Sequence, residues 1–194
     1  MNESIYYNVD ALHSAIAAGS QITFRYFDWD MTGKKKYRHE GKRYHISPWA
    51  LLWDDEIYYL VGYDAEYAER RHYRVDKMEA ISQTGEERQG KELFAGFDPA
   101  AYSRKVFGMY SGEPQQVTLR FESSMANIVF DRFGRDMILT PDCEGGFTVT
   151  VEVVPSPQFF AWLTGLGTPV RILSPQPVVQ QFCRHLQGIL DAYR

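Results

Sequence analysis

The chain has 194 residues, 44% apolar and 24% charged, with a formal net charge of −4. These proportions exclude a disordered or fibrous chain, and the net charge excludes a broad attraction to nucleic acid. Cys143 and Cys183 form no disulfide framework or metal-ligand spacing, no run is apolar enough to span a membrane, and no secretory signal opens the chain, so a cytoplasmic protein is expected.

In chain order, Asn8 is read as the cap of a short helix with Val9, Leu12 and Ile16 on one face, ending at Gly19. Strand signals follow quickly: Ile22, Phe24 and Tyr26 alternate with Thr23, Arg25 and Phe27. Arg43–Ser47 is stopped by Pro48, Trp49–Trp53 follows, and an acidic turn (Asp54, Asp55, Glu56) leads into Ile57–Tyr63 and then Arg71–Val75. Several short aromatic strands after one helix predict a small, strongly bent sheet or barrel. The polar stretch Ser82–Gly90 is read as a linker, and Asp98-Pro99 opens a short helix.

The second half predicts strand Val117–Glu122, then a helix capped by Ser123 or Ser124. Two strands, Met137–Pro141 and Phe147–Val154, are followed by a helix at Ser156-Pro157, strand Val170–Leu173 and a last helix opened by Ser174-Pro175. In that last helix Val178, Phe182, Leu186, Ile189 and Leu190 are expected to face inward. The order β-α-β-β-α-β-α is that of a ferredoxin-like sandwich with an added C-terminal helix, so the fold class is α+β. The expected divisions are 1–82, a linker over 83–116, and 117–194.

No enzyme motif stands out. Phosphate-cradling, zinc-hydrolase, dithiol and nucleophile-elbow patterns are all missing, Gly165-Leu166-Gly167 reads as a turn, and the five histidines are scattered. The reading therefore holds no catalytic residue, metal or cofactor. What remains is a concentration of Arg, His and Tyr on the first strands, beside a basic segment. Residues 25–45 hold seven Lys/Arg (25, 34, 35, 36, 38, 42, 43) against acids 28, 30 and 40. Arginine forks bind phosphate and tyrosine rings stack on bases; equally, such side chains cover exposed strand faces, and lysines protect sheet edges. Arg71 and Arg74, three apart, point oppositely on an unbroken strand, so both serve one pocket only if the strand is interrupted.

The run Ile57-Tyr58-Tyr59-Leu60-Val61-Gly62-Tyr63-Asp64 resembles the signature of the WYL domain, with Tyr58 in place of the Trp. Ile22–Tyr26, Arg43–Pro48 and Arg71–Met78 resemble its flanking strands in the expected order. The second half, with Phe97-Asp98 and Phe107-Gly108-Met109, resembles the C-terminal extension of WYL regulators. The resemblance implies an Sm-like small barrel in a bacterial transcriptional regulator. It also implies a basic pocket for a nucleotide-like or single-stranded nucleic-acid effector, at Tyr26, Arg43, His45, Tyr63, Arg71 and Arg74. Such regulators carry a helix-turn-helix DNA reader ahead of this region, too long for the roughly 20 residues before the first strand here, so either a fragment of a longer chain, the favoured reading, or a stand-alone sensor is expected. Promoter DNA would be met only through that missing part, and a homodimer is expected. A structural dimerisation module without ligand is the competing reading, and a phosphoesterase a distant third.

Overall fold

The computed structural model describes residues 3–110 and 112–194. They fold into two compact units, Met1–Pro99 and Ala100–Arg194.

In the first unit, helix α1 (Glu3–Ala18) buries Leu12 and Ala15 and ends where Gly19 takes a left-handed conformation (φ 61°). Asn8 lies inside this helix rather than at its cap. Its amide donates to the carbonyls of Val75 and Met78, tying the helix to the far end of the unit. Six strands follow: β1 (Ser20–Trp29), β2 (Lys35–Tyr37), β3 (Tyr44–Asp54), β4 (Ile57–Asp64), β5 (Glu69–Arg74) and β6 (Met78–Glu87). They form one antiparallel sheet in the order β2-β1-β3-β4-β5, with β6 pairing β1. The alternation in β1 sends Ile22, Phe24 and Tyr26 into a core with Ile46, Leu60, Tyr73 and Val75. Each such side chain contributes roughly 1.5–3 kcal/mol on burial.

Two expectations fail here for identifiable reasons. Pro48 does not end a strand; β3 runs through it, because the register shifts between Pro48 and Ala50 and a bulge tolerates the missing N–H. Residues 82–87 are not linker but the second half of β6. Polar side chains hid them, yet Gln83 and Glu87 pair with Ile22 and Ser20.

The second unit holds α2 (Pro99–Lys105), β7 (Gln115–Glu122), α3 (Ala126–Phe133), β8 (Thr140–Pro141), β9 (Gly146–Val153), α4 (Pro157–Leu166), β10 (Val170–Ser174) and α5 (Gln176–Asp191). The antiparallel sheet runs β10-β7-β9-β8. Val117, Leu119 and Phe121 alternate inward on β7, and Phe147, Val149, Val151 and Val153 do so on β9. Phe159, Phe160 and Leu163 of α4 cover them. The serine caps divide. Ser156 accepts from the Phe159 N–H at 3.2 Å as expected, whereas Ser123 instead donates to the Gly145 carbonyl, and Ser174 belongs to β10 with no capping bond to α5. Only two residues of the expected strand at 137–141 pair. On α5, Val178 is buried and Phe182 packs on the core, but Leu186, Ile189 and Leu190 stay 38–47% exposed within the chain, contrary to the expected inward row.

Candidate functional site

A cavity of about 330 Å³ opens on the first unit. Gln21 of β1 and the approach to β3 (His39, Lys42, Arg43, then Tyr44 and His45) form one wall. The β4–β5 turn supplies Asp64, Glu66 and Tyr67, β5 supplies Arg71, and the end of β6 supplies Glu86 and, just beyond it, Gln89. Below the cavity lies an aromatic cluster in which Tyr44 stacks on Phe24 (5.3 Å, 9° between planes) and meets Tyr73 edge-on at 5.7 Å.

Every charged group in this lining has a neighbour. The Arg71 guanidinium sits 3.8 Å from the Tyr67 ring centroid, 2.8 Å from Glu69 and 3.6 Å from Asp64. Asp64 is buried; it accepts from the Tyr73 hydroxyl (3.3 Å) and from the Glu66 N–H (3.0 Å). Burial, with the Asp64 carboxylate next in weight, holds the Tyr73 phenol far above its usual range. Lys42 pairs with Glu66 at 3.1 Å and His45 Nε2 lies 3.3 Å from Glu86. Arg43 differs: it donates to the Ala80 carbonyl (2.8 Å) and to Thr23 Oγ1 (3.3 Å), both neutral acceptors. Lys42, Arg43 and Arg71 equal Asp64, Glu66 and Glu86 in number, so the lining sums to zero with the histidines counted neutral, although Arg43 meets no carboxylate there.

The segment leaving β6 is strapped to the sheet beside the cavity. Gln89 donates its N–H to Ser47 Oγ and accepts from Trp49 Nε1, both at 2.9 Å. Arg88 covers the Trp49 ring at 3.9 Å, Trp49 stacks on Phe94 (4.7 Å, 5°), and Arg70 lies 4.9 Å from the centroids of both Phe94 and Phe97. Gly90 (φ 84°) passes so close to Tyr63 that a Cβ would fall 2.4 Å from its ring.

Residues 7–83 match the WYL domain and residues 113–190 match the WCX domain. The chain carries a WYL domain followed by a WCX domain. Among solved structures, the WYL–WCX chain is similar to the proteasome accessory factor PafBC of Arthrobacter aurescens (20% identity, TM-score 0.42), over all of this chain and 28% of that one. It is also similar to a CRISPR Cas-related protein (17% identity, TM-score 0.51), over 97% of this chain and 52% of that one. The chain therefore spans about half, or less, of these proteins. The second likeness shows a shared fold. A search of curated protein sequences gave no match.

Of the six residues expected in the WYL-domain pocket, Arg43, His45 and Arg71 line the cavity together. Tyr26, Tyr63 and Arg74 are not among its lining. The Tyr26 hydroxyl is buried, accepts the Arg74 N–H at 3.0 Å, and is pushed up to about 12 chiefly by burial. Tyr63 packs under Gly90. Arg74 sits on the opposite face of unbroken β5 from Arg71 and grips Asp76 through two nitrogens, at 2.8 and 3.1 Å. Sequence reasoning missed Asp64, Tyr67 and Glu86. Asp64 closes the signature run and stood in view, whereas Glu86 reaches His45 only through the pairing of β6 that polar composition concealed.

Proposed function

We propose that this chain is the ligand-sensing and dimerising region of a WYL-family transcriptional regulator, and that the cavity takes a nucleotide-like or single-stranded nucleic-acid effector. The observation that carries this reading is the convergence of Arg43, Arg71, Lys42 and two histidines beside the rings of Tyr44 and Tyr67, in a volume at the small end of ligand pockets. Guanidinium forks suit phosphate, and the half-exposed Tyr67 ring suits a base. The carboxylates facing them are displaceable, since Glu66 and Glu86 are both about 60% exposed. The curled sheet supports an Sm-like reading of the first unit. The second unit's order of fourth, first, third and second strand supports a ferredoxin-like one. The exposed apolar residues of α5 favour self-association through the second unit. Among the described residues no helix is long and apolar enough to cross a membrane.

The test is calorimetric titration of a panel of nucleotides and dinucleotides against the wild type and Arg71→Ala. Binding to the wild type that falls at least tenfold in the variant supports the reading. No binding by any member, or equal binding by both proteins, rejects it.

A further inference from the structure

Among the described cations that line the cavity, Arg43 alone is held by neutral oxygens, and one of these belongs to a strained point of the backbone. Arg71 is fixed by Glu69, Asp64 and the Tyr67 ring, and Lys42 pairs with Glu66. Arg43 Nη2 instead donates to the Ala80 carbonyl at 2.8 Å, and its Nε to Thr23 Oγ1 at 3.3 Å. Ala80 is an exposed residue of β6 in the left-handed region (φ 53°), where a Cβ is disfavoured and glycine is the usual occupant.

The strain has its origin in the strand register. From the Thr23–Ser82 pair to the Arg25–Glu79 pair, β1 advances two residues (25 − 23) and β6 three (82 − 79). The extra residue makes a bulge on β6 that contains Ala80, and Arg43 caps its carbonyl there.

Beyond the bulge, residues 82–87 are all exposed, so polar side chains hold them where an apolar face would otherwise do so. Gln21 Nε2 donates to the Glu87 carbonyl (2.8 Å), and the Thr84 hydroxyl donates to the Gln21 carbonyl (3.2 Å). The Gly85 N–H reaches Ser20 Oγ (3.2 Å), and His45 Nε2 lies 3.3 Å from Glu86. A segment held in this way opens ahead of the packed core. Three of its holders, Gln21, Arg43 and His45, also line the cavity. Occupancy of the cavity and order in β6 therefore draw on the same side chains.

Resting on the cavity reading above, we propose that an anion in the cavity unlatches β6 by drawing Arg43 off the Ala80 carbonyl. A guanidinium bond to a phosphate oxygen is about twice as strong as one to a neutral carbonyl, so the anion wins the fork. Arg71, already fixed on its strand, anchors the ligand, and Arg43 is the side chain that moves. The uncapped bulge then gives way, because nothing apolar holds the strand beyond it. That strand runs directly into Arg88 and Gln89, the start of the strap, so the loosened stretch lies on the covalent path from the cavity to the rest of the chain.

The test is hydrogen–deuterium exchange of the whole chain, with inorganic pyrophosphate as the probe and its binding followed in parallel by calorimetry. At saturation pyrophosphate should speed exchange over residues 79–87 about tenfold, the loss expected for one hydrogen bond from a charged group, and leave β4 unchanged. Arg43→Ala should speed the same residues to a similar degree without pyrophosphate, and adding it should bring little more. If pyrophosphate binds and exchange over 79–87 stays level or slows, the latch is overturned while the cavity reading stands. The latch is likewise overturned if Arg43→Ala exchanges there as the wild type does. If pyrophosphate does not bind the wild type, the cavity reading falls and the latch falls with it.

Discussion

The cavity and the β1–β2 hairpin draw on the same basic segment and use it differently. In the cavity, cations contributed by residues 42, 43 and 71 are equalled in number by carboxylates contributed by residues 64, 66 and 86, and the charge closes on itself. At the hairpin each of Asp28 and Glu79 is shared between two cations, so one charge is left over at each. A basic stretch in a sequence is therefore not yet a basic site. Its field depends on which distant acids the sheet pairs against it.

The largest effect expected on this comparison comes from removing its best-held cation. Arg71→Ala deletes a charge-assisted contact worth on the order of 1.5–3 kcal/mol, so binding of a phosphate-bearing ligand in the cavity should fall tenfold or more. It also leaves buried Asp64 without its guanidinium, and a lower urea midpoint should accompany the loss of affinity.

Acid should next separate the hairpin from β5, on the face of that strand turned away from the cavity. Burial, helped by the Arg70 charge, holds His72 of β5 neutral down to about 4. Between about 6.5 and 4 the unfolded chain binds a proton that the folded chain refuses. The stability His72 contributes is therefore complete above 6.5 and lost as pH falls towards 4, on the order of 2–3 kcal/mol. His72→Gln should flatten that part of the stability curve, measured by urea unfolding at pH 7 and 4.5. The hairpin keeps its clamp through this window. Hydrogen bonds from Arg38 and Lys77 hold Asp28 well below the usual carboxylate range, at about 2, so its contribution is lost only between about 3.8 and 2.

Smaller effects sharpen the same contrast. Glu66→Gln with Glu86→Gln should make the cavity net basic. Anion affinity should then rise several-fold with a steeper salt dependence, because exposed pairs are worth about 0.2–1 kcal/mol each. Arg74→Ala should change cavity binding by less than about twofold, since its fork is spent on Asp76. If Arg74→Ala weakens binding as much as Arg71→Ala does, the assignment of the two faces of β5 is wrong.

How much of this was legible in the sequence follows from the range of each interaction. The signature run and its flanking strands announced the first unit, and alternation on β7 and β9 announced the second sheet, because these signals are local. The opposition of Arg71 and Arg74 was visible from strand parity alone. The pairing of His45 with Glu86, 41 residues apart (86 − 45), was not, nor was the use of the Tyr26 hydroxyl by a backbone N–H 48 residues away. Polar β6 was hidden because its outer half, from Ser82 onward, has no apolar face to bury. The apolar row on α5 reads as core in one dimension, yet only Val178, Val179 and Phe182 of its first turns meet the core.

The strap after β6 moves the practical edge of the first unit. The recognisable WYL segment ends at residue 83, but the folded body continues to Pro99. A polypeptide trimmed to the recognisable segment would end partway along β6 and strip Phe94 from the Trp49 ring. It would also leave the Ser47 hydroxyl and the Trp49 indole N–H without the main chain of Gln89 that now satisfies both. The portable piece of this protein is therefore some 16 residues longer than its family signature (99 − 83). Grafting or expressing it by signature alone would yield a sticky, half-finished sheet.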